Sequence, residues 1–153
     1  MAVSNYRALQ AFTAGANLSA AYGLGVIIDS SIPHGVKLPT SAGSAITGVV
    51  IEPAPQGKTV GVCVEYASKV PVRVSAAVAK GAQLCVDTNG KFATVGNDGG
   101  TVVGIALEAA TAANQVITML LGAEPAVVAA AQSAGGGGAE GGGGTNAGGG
   151  TGG

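Results

Sequence analysis

Gly48-Val49-Val50-Ile51-Glu52 and, 56 residues later, Gly104-Ile105-Ala106-Leu107-Glu108 read as two versions of one strand. In both copies a valine, Val60 or Val116, follows eight positions after the glutamate and opens a second apolar run. Each copy therefore predicts a strand, a seven-residue loop and a returning strand. The bulky positions alternate, Val49 and Ile51 in one copy and Ile105 and Leu107 in the other, so the two hairpins are expected to turn equivalent faces to a shared core. Two copies are too few for a solenoid and predict pseudo-symmetric halves of one barrel or sandwich.

Between the copies, Val70, Val72 and Val74 alternate with Pro71, Arg73 and Ser75, which puts the three valines on one face of a strand. Pro71 lacks a ladder donor, so this strand belongs at an edge or pairs on one side only. Asn89-Gly90, between Cys85-Val86-Asp87 and Lys91-Phe92-Ala93, predicts a hairpin with a type I′ turn, where both central residues take positive φ. Further strands are expected at the end of Tyr22 to Asp29, near Val36 to Leu38, and at Gln83 to Asp87 and Lys91 to Val95. Residues 1–20 show no sustained period, only isolated anchors at Tyr6, Leu9, Phe12 and Leu18, and read as an arm. Pro125 opens an alanine-rich stretch long enough for two helical turns but too short to be stable alone. Residues 135–153 hold 13 of the 28 glycines, and a chain so poor in side chains is expected to be disordered in the free protein.

The expected fold class is all-β: a small β-barrel or sandwich (tulip-like) of two pseudo-repeated hairpins, with an extended N-terminal arm and a Gly-rich C-terminal tail. Its boundaries are 1–20 for the arm, 21–122 for the β-domain, 123–134 for an Ala-rich connector and 135–153 for the tail.

Composition limits what such a domain does. Aromatic residues are only 3% of the chain, so the core must be built from small and β-branched side chains. Charged residues make up 10%, the net charge is −1, and the Lys and Arg residues are scattered singly, which argues against nucleic-acid binding. No apolar run approaches the length of about 18 to 20 residues that a membrane span needs, so no membrane partner is expected. The stretch Met1 to Arg7 has no basic region followed by an apolar one, and synthesis in the cytoplasm is expected. Cys63 and Cys85 lie in predicted strands outside any CxxC motif; buried free thiols and a disulfide are the two readings.

No catalytic, cofactor-binding or metal-ligating residues are predicted. His34 is the single histidine and stands between Pro33 and Gly35 in a loop without an acidic or cysteine cluster. Glu52 and Glu108 could pair for acid/base work, but strand-end charges in water account for them as well. Gly23-Leu24-Gly25 lacks the third glycine of a dinucleotide loop, which Ile28 replaces. A lipoyl-type carrier would need an exposed hairpin lysine among partners that Lys91 does not have.

The order of pieces carries a resemblance. Phe12-Thr13-Ala14-Gly15-Ala16-Asn17, the Gly-Val-Val strand after a Ser/Ala/Gly loop, and Val70 to Val74 come first. Val78-Ala79-Lys80-Gly81-Ala82-Gln83-Leu84 then leads into Asn89-Gly90-Lys91, and Val103-Gly104-Ile105-Ala106-Leu107-Glu108 precedes a closing apolar strand. Over roughly Ala11 to Leu121 this resembles the capsid decoration (cement) proteins of tailed bacteriophages, a family also catalogued as a domain of unknown function. One departure is Ala109 to Gln115, where relatives carry an acidic-glycine turn.

The resemblance implies a non-enzymatic virion protein without cofactor. It implies binding to the major capsid protein on the outer surface of the head, and a homo-oligomer, a trimer in many relatives. The arm supplies the candidate capsid contacts Tyr6, Arg7, Leu9 and Phe12, by strand addition or anchoring in a groove. The alternative is a structural or host-binding module of the tail apparatus, with the glycine tail as a linker.

Overall fold

The computed structural model describes residues 9–96 and 99–122, and the backbone of 127–128. Every regular element among them is a β-strand. Five strands, β1 (Leu9–Ala14), β2 (Gly25–Asp29), β3 (Gly35–Lys37), β4 (Gly48–Glu52) and β5 (Thr59–Cys63), close into a barrel in the order β1-β3-β2-β4-β5. The next strands are β6 (Lys69–Arg73), β7 (Gln83–Val86), β8 (Phe92–Thr94), β9 (Gly100–Thr101), β10 (Gly104–Ala106) and β11 (Val116–Leu121). All of these except β9 form a second sheet in the order β6-β11-β10-β7-β8. Finally, β12 (Val127–Val128) pairs antiparallel with β9.

The repeat seen in two hairpins extends to five strands per copy. In the barrel, β5 pairs antiparallel with β1 and β4, β2 pairs antiparallel with β4 and β3, and β3 lies parallel to β1. In the second sheet, β11 pairs antiparallel with β6 and β10, and β7 with β10 and β8. The parallel contact recurs as a single bridge, Val74 to Phe92, joining the end of β6 to β8, with the Ser75 N–H donating to the Phe92 carbonyl at 2.9 Å. Thus β1 corresponds to β6, β2 to β7, β3 to β8, β4 to β10 and β5 to β11. The expected small barrel or sandwich with two pseudo-repeated hairpins is what the chain forms, and each hairpin belongs to its own five-stranded unit, of which only the first closes.

The two equivalent hairpins do not face a shared core in the same way. Strand β4 is buried on both faces: Val50 points into the barrel with Val26, Val36, Val60 and Val62, while Val49 and Ile51 point out of it against the second sheet. In β10 the inward residue is Ala106, and Ile105 and Leu107 lie half-buried on the outer face. The physical reason is layering, because β4 stands between two apolar layers and β10 has one on its inner side alone. A second difference follows from a β-bulge between Val50 and Glu52. It shifts the first copy's register by one residue. Val60 is fully buried whereas Val116 is 36% exposed, and Ile117 takes the buried place.

Of the segment expected as an arm, 1–20, the described part from Leu9 onward is built into the barrel. Strand β1 completes the barrel, pairing from Leu9 opposite Cys63 to Thr13 opposite Thr59. Ala14, Leu18, Ala21 and Leu24 fill its interior. A five-stranded barrel is narrow, so its lumen takes Ala, Val and Leu and leaves little space for aromatic rings, which accounts for the composition. Arm residues 1–8, and the connector and tail apart from the Val127–Val128 backbone, lie outside the described residues. That pair is strand, where two helical turns had been possible.

Other expectations hold. Pro71 sits on β6, an edge strand whose ladder partner is β11. The flanking valines Val70, Val72 and Val74 are fully buried. The Asn89-Gly90 hairpin joins β7 to β8, but Gly90 (φ 75°) is its one residue with positive φ. Asp87 explains the difference. Its carboxylate accepts the N–H groups of Asn89 (2.8 Å) and Lys91 (2.9 Å), holding a longer loop with a left-handed glycine in place of a two-residue type I′ turn.

Gly48 and Gly104, which anchor the repeat, share a physical role. A Cβ at Gly48 would strike the Cys63 carbonyl, and one at Gly104 the Leu120 carbonyl, because backbone approaches backbone there. Gly48→Ala and Gly104→Ala should each lower stability by about 1–3 kcal/mol. Gly96→Ala, where a methyl meets open space, should change it by less than about 0.5 kcal/mol. Thermal unfolding of the three variants is the check.

Candidate functional site

The sequence-predicted contact residues fall into two groups. Leu9 starts β1 and packs, half-buried, on the core shared by barrel and second sheet, while Phe12, opposite Val60, packs on the barrel core. Tyr6 and Arg7 lie outside the described residues. Leu9 and Phe12 are therefore wall residues of the barrel and do not project as a free anchor.

What the structure brings together is one end of the molecule. Chain entry at Leu9 lies opposite Cys63, and the last strand of the second sheet ends at Leu121-Gly122. Between them stands a pocket of about 130 Å³ lined by Ile46, Val64, Tyr66, Thr101, Val103 and Leu121 among others. The ring of Tyr66 lies against Gly122 and is 63% exposed, and the Ala67 N–H donates to the Leu121 carbonyl at 2.9 Å. Strand β12 pairs with β9 at Thr101, on the pocket's rim. Both terminal segments thus leave the folded core around an apolar, aromatic-edged pocket.

Next to it, Glu65 Oε2 is buried and, among the described residues, has no hydrogen-bond partner. The sequence reading missed Tyr66 and Glu65. Their only signal was an aromatic and a charge closing an apolar strand in a chain poor in both.

The residues weighed for chemistry are dispersed. His34 is exposed with φ 54°, and its carbonyl accepts the Thr13 N–H at 2.8 Å, a turn role played by its backbone. Cys63 and Cys85 are both free thiols, and burial pushes the Cys85 thiol up. Among the described residues no three His, Cys, Asp or Glu side chains are grouped to hold a metal. The repeat-related glutamates differ: Glu52 is exposed, whereas Glu108 Oε2 accepts the Thr118 N–H at 2.8 Å.

Two carboxylates are shifted. Hydrogen bonds from the Ser31 hydroxyl (2.6 Å) and N–H (3.1 Å), with Lys37 at 3.5 Å, hold Asp29 below the usual carboxylate range. Bonding to Thr118 does the same for Glu108. A carboxylate whose folded pKa is depressed stabilises the fold above its unfolded pKa, and that contribution is lost as pH falls through the folded value. Stability should therefore decline on acidification below the ordinary carboxylate range. Asp29→Asn and Glu108→Gln should be less stable than the parent at neutral pH, with a shallower acid-side loss, as measured by urea unfolding at stepped pH.

Comparison with known proteins adds to this geometry. No curated protein matches the chain. Among solved structures, the crystal structure of the head fiber gp8.5 N base of bacteriophage phi29 is similar in fold, with a TM-score of 0.57 at 17% identity, covering 74% of this chain and 92% of that one. The family model described as phage cement protein matches residues 9–121, from the first residue of β1 to the last of β11. This all-β chain belongs to the phage cement protein family, structural proteins associated with the virion capsid.

Proposed function

We propose that this protein binds the outer surface of the shell built by the major capsid protein and reinforces the assembled head without catalysing a reaction. The observation that carries the reading is the family match across both five-stranded units. The convergence of both terminal segments on the Tyr66 end supports a docking face there. On this reading residues 1–8, with Tyr6 and Arg7, reach the shell from that end, while Leu9 and Phe12 hold the root of the arm in the barrel.

An extended segment that adds to a sheet edge of the shell binds mainly through main-chain hydrogen bonds and needs few large side chains, which suits a chain this poor in aromatics. Many copies on one shell act together, so modest single contacts sum to a reinforced lattice. A homotrimer made in the host cytoplasm before it joins the head completes the proposal; trimeric assembly would triple the arms at each site.

Deletion of residues 1–8 leaves β1 intact, so the variant should keep the parent's thermal transition. Its occupancy on purified heads should fall at least about tenfold, a loss of about 1.4 kcal/mol in binding. Unchanged occupancy would remove the arm from the docking model. Labelling confined to one vertex, seen by electron microscopy, would move the protein to the tail apparatus.

A further inference from the structure

Asn89-Gly90 is the one Asn-Gly step in the sequence. In an unrestrained chain such a step is chemically labile, because the missing glycine side chain leaves the glycine nitrogen free to attack the asparagine side-chain carbonyl carbon. The bond from the Gly90 nitrogen to Asn89 Cγ forms as the bond from Cγ to Nδ2 breaks, and the Gly90 amide proton leaves with Nδ2 as ammonia. Water then opens the cyclic succinimide to aspartate or isoaspartate. The Asn89 side chain is exposed, so water reaches it.

The hairpin holds the attacking atom. Three successive main-chain N–H groups donate to one residue, Asp87: those of Asn89 (2.8 Å) and Lys91 (2.9 Å) to its carboxylate Oδ1, and that of Gly90 (3.1 Å) to its carbonyl. Asp87 in turn donates its N–H to the Lys91 carbonyl at 2.8 Å. On the far side the Gly90 carbonyl accepts the Gly25 N–H at 2.7 Å, and a Cβ at the buried Gly90 would meet the Gly25 carbonyl, Leu38 and Leu24. Ring closure requires the peptide between Asn89 and Gly90 to rotate toward the Asn89 side chain. That rotation carries the Gly90 nitrogen away from Asp87 and pulls on the bond to Gly25, so these contacts must open first.

The first unit has the same latch without the labile step. Asp29 Oδ1 accepts the Ser31 N–H at 3.1 Å and the Asp29 carbonyl accepts the Ile32 N–H at 3.2 Å, with Ser31 in the place of Asn89. The latch therefore belongs to the repeated hairpin, and the second unit alone sets an Asn-Gly step under it.

We propose that Asn89 is a deamidation site that the native fold holds shut, with Asp87 as the positioning residue that restrains the Gly90 nitrogen. Modification then requires local opening of the β7–β8 loop. Its isoaspartate product routes the main chain through the side-chain carbons and lengthens it, which displaces Gly90 from Gly25 and breaks a contact between the two units. None of this depends on the capsid reading.

The test incubates the full-length protein in mildly alkaline buffer, native and in guanidinium chloride, and follows Asn89 by peptide mapping with mass spectrometry. Asn89 should deamidate at least about tenfold more slowly in the native protein than in the denatured one, in proportion to how seldom the loop opens. Equal rates would overturn the proposal. Under native conditions Asp87→Ala, with its thermal transition retained, should deamidate at least about tenfold faster than the parent. Asp87→Asn, which keeps an acceptor oxygen in the same place, should stay within about threefold of the parent. A folded Asp87→Ala protein as slow as the parent, or equal acceleration in both variants, would overturn the role of Asp87. Because Asp87→Ala could itself prevent folding, native-state hydrogen exchange of the parent gives a second reading: the Gly90 amide should be protected at least about tenfold. Free-chain exchange there would overturn the latch.

Discussion

The burial of β4 and β5 on both faces is the constraint on which the rest of this fold depends. Val50, Val60 and Val62 fill the barrel, while Val49, Ile51 and Cys63, one step out of phase, pack against the second sheet. Two cores therefore share one wall, and neither is complete without it. Each valine sealed in this way contributes on the order of 1.5–3 kcal/mol relative to exposure. Loss of the wall would open both sides at once.

The same wall explains why two topologically equal units end differently. The first barrel closes through the β1–β5 and β1–β3 pairs, with a lumen small enough for Ala14, Ala21 and the valines to fill. The second sheet turns its inner face partly to the outer face of β4 and stays open except for the Val74–Phe92 bridge. Main-chain bonds tie the units further: the Arg73 N–H donates to the Gly23 carbonyl at 2.8 Å, and the Gly25 N–H to the Gly90 carbonyl at 2.7 Å. Backbone pairing between the copies lets the contact form without large side chains, in keeping with a chain that has few.

Among the described residues the side chains that could carry chemistry are dispersed and engaged in hydrogen bonds: Asp29 with Ser31, Asp87 with the Gly90 loop and Glu108 with the Thr118 N–H of β11. The Tyr66 end is different. It gathers an exposed ring, an apolar pocket, an unpaired buried carboxylate oxygen and the roots of both terminal segments.

Local pattern alone determined the all-β class, the β7–β8 hairpin, the edge position of Pro71 and the buried valine face of β6, because alternation, turn residues and a missing donor act within a few positions. It also exposed the repeat, but only as two hairpins. Strands β1 and β6, or β3 and β8, correspond through main-chain partners, which leave no mark on side-chain identity.

Tertiary structure decided which face of each strand is covered. Val49 and Ile105 occupy the same place in the repeat, yet one lies under a second sheet and the other at the surface, since the covering layer comes from distant sequence. It likewise decided that Leu9 to Leu24 build the barrel, because Ala14 and Leu18 find partners only when Ala54, Val60 and Val62 close around them. The Tyr66 end was equally invisible in the sequence: its pocket is assembled from residues 45–47, 64, 66, 101–103 and 121–122, brought together by the shared wall and by no local pattern.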